Sequence, residues 1–268
     1  MSSALQGIEA KLDRADKSLR TLDRELARIS NGKPLVIGID VDFQSGWNTA
    51  YIEHAEPLPP GASIFIGESL YHGRSALEHL VWALVKANRK KPGTHNSFPI
   101  WKEGTTATFM KVTNRPSSGK RRPGPLVGVS KQARTLIESS QPYNGMNPPL
   151  HVLALLNRMA IDDRHHALHA AYMAVWDDGS KIEPLFQPHS GYRITDFRNL
   201  TSDRSLLVDG AKLARFRVVP LTRNPKVSVK GDIPIHIAFG EPDALLLGAF
   251  KGINKALRGI IEPFAEFL

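Results

Sequence analysis

Leu5, Ile8, Leu12, Ala15, Leu19, Leu22, Leu26 and Ile29 recur at alternating steps of three and four residues. That spacing puts one apolar seam on a helix of nearly thirty residues, with Asn31-Gly32 as its stop. Leu246, Phe250, Ile253, Leu257, Ile260, Phe264 and Phe267 repeat the pattern at the other end of the chain, with Pro263 set to kink or fray the last turn. A seam this long must be covered. The two helices must pack on each other, on central helices, or across a dimer, so the fold contains a helical layer.

Between the seams the pattern changes. Leu35, Ile37, Ile39, Val41 and Phe43 alternate with more polar residues, and Gln44-Ser45-Gly46 turns the chain into 47–55: a β-hairpin. A helix follows over 66–86, then a loop over 91–103. Short helices are expected near 105–112 and 129–140, with a turn at Gln141-Pro142-Tyr143-Asn144-Gly145. Asn147-Pro148 opens a helix over about 148–170. Its first half is apolar almost all round (Leu150, Val152, Leu153, Leu155, Leu156, Met159, Ala160, Ile161), the pattern of a buried helix. Residues 171–176 and 181–186 read as a hairpin around Asp177-Asp178-Gly179. Strands are expected at 213–219, 227–229 and 233–239. The fold class is α+β: a mainly helical core at 1–170 with a hairpin inserted at 33–56, an antiparallel β module at 171–240, and a helix at 241–268 that packs back on the core.

Two central helices carry the chemistry. In 66–86, Ile66, Leu70, Leu77, Leu80, Val81 and Leu84 share one face. Glu68, His72, Ser75, His79 and Lys86 lie opposite, within roughly 60° of each other, and Arg74 flanks them. Imidazoles give and take protons near neutral pH, so their alignment with a carboxylate marks a candidate site. In the second helix Arg158, Asp162, His165, His166 and His169 share a face. A polar stripe on so apolar a helix has to be satisfied by something. Three readings follow: a satisfied polar network between helices, a metal site built on His165 and His169 with Asp162 and a further histidine, or metal-independent acid–base chemistry on a phosphodiester.

Composition limits the classes. The chain has 268 residues, no cysteine and a net charge of +9. Disulfides, cysteine nucleophiles and thiolate zinc are excluded, and a cytoplasmic location is expected. No apolar run long enough to span a membrane and no signal peptide is read. The positive charge suits a polyanionic partner, RNA included. Lys120-Arg121-Arg122, within the Pro/Ser/Gly-rich stretch 114–125, reads as a basic loop able to meet phosphates. Trp47, Trp82, Trp101 and Trp176 read as core or interface anchors. No Walker loop, dinucleotide fingerprint or nucleophile elbow is present, which excludes those nucleotide, redox and esterase chemistries.

Arg74-Ser75-Ala76-Leu77-Glu78-His79 resembles the motif of HEPN-type ribonucleases, in which an arginine is followed four to six residues later by a histidine. The longer phrase from Gly67-Glu68 to Leu80-Val81 is similar to the signature helix of a set of bacterial proteins that reads RSALDHL. Leu156-Asn157 and Asp163-Arg164-His165-His166 look like that set's second block. Family members carry Asn, His or Asp directly after the arginine, where this chain has Ser75. The resemblance covers about 40 residues. It implies a HEPN-like helical bundle, a homodimer whose paired helices form one composite site, RNA as substrate and no cofactor.

In that chemistry the 2′-hydroxyl of RNA is the nucleophile, a histidine moves the proton and an arginine steadies the charge of the transition state. Arg74 and His79 are the expected catalytic pair. Glu68, His72, Ser75, Glu78, Asp162, Asp163, His165, His166 and His169 are their expected supports, and Lys120, Arg121 and Arg122 contact nucleic acid. The alternatives are a HEPN-like module that binds or dimerises without cutting, and a metal-dependent hydrolase using the His/Asp cluster.

Overall fold

The computed structural model describes residues 2–30, 34–42, 44–118, 122–165, 170–174, 187–188, 192–201, 205–220, 229–230, 235–239 and 245–268. The chain is mixed α and β and divides into two compact units. One gathers Met1–Asp23, Gly61–Leu168 and Gly248–Leu268; the other gathers Arg24–Pro60 and His169–Leu247.

The first unit is helical. Helix α1 (Ser3–Ser30) buries Ile8, Leu12, Ala15, Leu19 and Leu22 along the expected seam. Helix α2 (Gly61–Ala87) follows, then α3 (Thr106–Thr113) and α4 (Lys131–Ser139). The last two start on side-chain caps: Thr105 Oγ1 accepts from the Thr108 amide and Ser130 Oγ from that of Ala133.

The helix expected from Pro148 begins later. Pro148–Leu150 make one 3₁₀ turn, His151 turns extended (ψ 140), and helix α5 runs over Val152–His165. His151 caps it. Its carbonyl accepts from Leu155 and its Nδ1 from the Leu153 amide. Nor is the expected apolar stretch buried all round, since Leu150 of the 3₁₀ turn is 64% exposed and Ile161 of α5 38%.

Helix α6 (Leu247–Ile261) ends in a 3₁₀ segment, Glu262–Phe267, at the proline that stops regular α bonding. It buries Phe250, Ile253, Leu257, Ile261 and Phe264, so Ile261 rather than the expected Ile260 points inward. Steps of 3, 4, 4 and 3 follow the true 3.6-residue turn. Arg258 ties α6 to α1, donating to Glu9, Asp13 (2.9 Å) and Asp16 (2.7 Å).

The second unit holds the strands. The expected hairpin forms as β1 (Leu35–Asp42) and β2 (Trp47–Ala55), with Asp42 accepting from the turn amides of Gln44 and Ser45. The hairpin groups with the C-terminal strands rather than with the helices. Strand β2 pairs with the later 212–220 segment, which shifts the domain organisation from an insertion to a shared sheet.

In chain order the remaining strands are β3 (Ala170–Ala174), β4 (Gln187–Pro188), β5 (Tyr192–Asn199), β6 (Ser205–Leu206), β7 (Lys212–Pro220), β8 (Val229–Lys230), β9 (Ile235–Phe239) and β10 (Leu245–Leu246). One antiparallel sheet runs β1-β2-β7-β5 and another β10-β9-β3-β6. Ala50, Ile52, Leu213, Ala214 and Phe216 of the first sheet pack with Tyr172 and Ile237 of the second, forming the core of this unit. The hairpin expected at 171–186 lies mostly outside the described residues. Its described strand, β3, pairs with β9 and β6.

Candidate functional site

Helix α2 buries Ile66, Leu70, Leu77, Leu80, Val81 and Leu84, the face expected of it. Burial also takes in Gly67, Ser69, Gly73, Ala76 and Val85, so the helix is covered over a wide arc. The outward stripe of Glu68, His72, Ser75, His79 and Lys86 contains three large apolar residues as well: Ile64 and Tyr71 are each 62% exposed and Trp82 42%. Trp82 is therefore not a core anchor.

The expected catalytic residues are not brought together within one chain. His79 is five positions beyond Arg74, which on an α-helix is about 140° of rotation. Arg74 turns toward the loop after the helix. Its Nη2 donates to Glu78 Oε1 (2.6 Å) and to the Phe98 carbonyl (2.8 Å). Glu78 Oε2 accepts from the Phe98 amide (3.0 Å). The i,i+4 pair thus clamps both main-chain groups of Phe98, whose side chain is fully buried.

Burial pushes the Arg74 guanidinium down from its usual value and the Glu78 carboxyl up. Their mutual attraction works against both shifts, and nearby Arg164 adds to the one on Arg74. Both groups are thus taken out of water at a cost that their contact only partly offsets. Arg74 Nη1 is buried and finds no hydrogen-bond partner among the described residues.

His79 faces the other way and is exposed. Partial desolvation lowers its pKa, with a further push from Lys11. His72 is lowered by desolvation, then by Lys11 and Arg14, against an opposing pull from Glu68. Two imidazoles that favour the neutral form therefore sit along one edge of α2 beside the cations of α1. Glu68 belongs to α1 rather than to His79: it accepts from Ser18 Oγ (2.7 Å) and lies 3.6 Å from Arg14.

Of the second helix, Leu156 packs near Gly73 of α2 and Asp163 reaches Gly67. A Cβ built on Gly67 would stand 2.6 Å from both Asp163 carboxylate oxygens, so only glycine leaves room there. Burial raises the Asp163 pKa. Asp162 is half-buried, while Arg164 and His165 are exposed. His166 and His169 lie outside the described residues, as do Lys120, Arg121 and Trp176. Among the described residues no three His, Asp or Glu side chains gather as a metal site. Arg122 is exposed, and its carbonyl accepts from Arg115 (3.4 Å).

Sequence reasoning missed a buried polar cluster beneath the same loop. Glu138 accepts from Tyr143 (2.7 Å) and Thr106 (2.8 Å); burial works against its charge, but these bonds outweigh it and lower its pKa. Gln141, also buried, accepts from the Trp101 amide and donates to the Ile137 carbonyl. The available signal was Gln141-Pro142-Tyr143 at the close of an amphipathic helix, read only as a turn. Together with Asn96, which donates to the Pro125 and Val127 carbonyls, these groups fix the 91–103 loop that Arg74 clamps.

No helix among the described residues is long and apolar enough to cross a membrane. Compared with protein-family models, curated proteins and solved structures, the chain matches none.

Proposed function

We propose that the helical unit is a HEPN-like module that pairs with a second copy of itself through the outer face of α2 and does not cut RNA. The observation that carries this reading is the engagement of Arg74 with Glu78 and both main-chain groups of Phe98. An arginine that holds a loop in place is not poised to receive the charge of a phosphoryl transition state, which calls for preorganised donors aimed at the substrate.

The pairing surface is read from spacing. Ile64, Glu68, Tyr71, Ser75, His79, Trp82 and Lys86 step by 4, 3, 4, 4, 3 and 4, a sequence that is the same in both directions about Ser75. A two-fold axis through Ser75 would set two α2 helices antiparallel. Tyr71 would then meet His79 and Glu68 would meet Trp82, each contact made twice, as an isologous interface requires. The small Ser75 at the crossing lets the backbones approach.

Light scattering and an RNA assay test this together. The protein is expected to run as a dimer that Tyr71→Glu or Trp82→Glu converts to a folded monomer. Mixed RNA incubated with it in EDTA is expected to stay intact. The second reading, a metal-independent endoribonuclease, is favoured by the exposed His79 and the half-buried His72, two imidazoles held toward neutrality beside Lys11. Cleavage that survives EDTA and disappears in both Arg74→Ala and His79→Ala would establish that reading and overturn the first. Cleavage lost on EDTA alone would point instead to a metal held by the His/Asp cluster.

A further inference from the structure

Three arginines surround one indole on the outer face of the β1-β2-β7-β5 sheet. The guanidinium carbons of Arg198, Arg215 and Arg217 stand 5.0, 4.9 and 4.9 Å from the centre of the Trp47 ring. The register explains the meeting. Trp47 on β2 lies opposite Arg217 on β7; Arg215 is two residues further along β7; Arg198 on β5 lies opposite Arg215. All four point away from the core side, which Ala50, Ile52, Ala214 and Phe216 occupy.

A second ring shares this face. Tyr51 is four residues beyond Trp47, about 13 Å along the strand at about 3.3 Å per residue. It lies against Gly38 of β1, where a Cβ would come within 2.6 Å of the ring, and it pairs in register with the exposed Lys212. Carboxylates share this face. Asp42 and Asp40 on β1 lie opposite Trp47 and Thr49 in register; Asp42 is engaged by Ser45 and Gln44 and also feels the charge of Arg215, and Asp196 approaches Arg217 to 3.9 Å.

A guanidinium held over an indole keeps N–H donors for bidentate contact with an anion. Arg217 Nη2 spends one on the Ser45 carbonyl (3.4 Å); with Arg198 and Arg215 it still forms a short cationic track, with Tyr51 on the same face. An acidic peptide would use the charges and gain nothing from the Tyr51 ring. A nucleic acid strand uses both, through phosphates and unstacked bases.

We propose that this sheet face binds single-stranded nucleic acid, with Arg198, Arg215 and Arg217, gathered around Trp47, taking phosphates and Tyr51 stacking a base. The proposal stands apart from the pairing of α2, because anisotropy reads the one and molar mass the other.

The test is fluorescence anisotropy of labelled 12-residue oligo-U on the full chain, across a salt series. A matching duplex, oligo-dT and polyglutamate serve as competitors. Oligo-U or oligo-dT is expected to compete well, and duplex and polyglutamate poorly; the ratio of the first two shows whether RNA or DNA is preferred. Arg215→Gln/Arg217→Gln is expected to weaken binding at least tenfold and to flatten the log–log salt slope by about 1.4, since each single-strand phosphate contact contributes about 0.7. Tyr51→Leu is expected to weaken binding by about tenfold with the slope kept. Tyr51→Phe, which keeps a ring, is expected to retain most of the affinity and guards against a folding defect. Unchanged affinity and slope in the double arginine variant would overturn the proposal, as would polyglutamate or duplex competing as well as oligo-U.

Discussion

One amino group of Arg74 serves a carboxylate and a carbonyl, and Glu78 closes the ring by accepting from the Phe98 amide. Removing the guanidinium leaves Glu78 desolvated and the Phe98 carbonyl open. Breaking a fully buried pair costs about 3–5 kcal/mol. Here the side chains are 25% and 33% exposed, so Arg74→Ala is expected to lose about 2 kcal/mol, a fall of roughly 4–8 °C in Tm. His79→Ala, which removes an exposed ring, should stay within about 0.5 kcal/mol. Melts followed by circular dichroism separate them; an Arg74→Ala variant that melts like the wild type would end the structural role of that residue. The imidazoles supply a pH test. His72, His79 and His151 each hold a folded pKa below the usual 6.5, chiefly through burial. They bind protons less readily folded than unfolded, so their share of stability is full above pH 6.5 and is lost as the pH falls below it. Protonation also cancels the Nδ1 acceptor with which His151 caps α5. Tm is expected to drop between pH 7 and 5.5, and less steeply in His151→Asn.

At the level of the element, α2 and α5 meet where Gly67 leaves space for the Asp163 carboxylate. Gly67→Ala forces that carboxylate aside and is expected to cost about 1–3 kcal/mol. Gly67→Ala combined with Asp163→Ala should recover part of the loss, and a double-mutant cycle on thermal stability reads the coupling. A strictly additive cycle would mean the two residues are not in contact. The inner faces of α1, α2 and α6 were legible because a 3.6-residue period reports directly which side is buried. The break before α5 was not: Pro148 is a good helix opener, and only the bond from the Leu153 amide to His151 Nδ1 moves the start to Val152. The outer stripe of α2 was legible in half. Its histidines drew attention, whereas Ile64, Tyr71 and Trp82 look like core residues until their exposure is seen.

For the whole molecule, composition and pattern pointed to a mixed α and β chain with an N-terminal hairpin and C-terminal antiparallel strands, and the described residues form both. Which strands pair was out of reach. Alternation tells which face of β2 is buried but not that its partner is β7, more than 150 residues later. That pairing, and the one from β7 to β5, collects three arginines around Trp47, a juxtaposition that no local window contains. Arg74 and His79 are likewise close in sequence, but the turn of the helix sends them to different neighbours. The account makes α2 a pairing helix whose arginine is structural. The molar mass of the full chain by light scattering, measured beside Tyr71→Glu, tests it most directly. It predicts twice 29.6 kDa for the wild type and a single, folded chain for the variant. A wild type that runs as a monomer at every concentration, or a variant that remains a dimer, would contradict it.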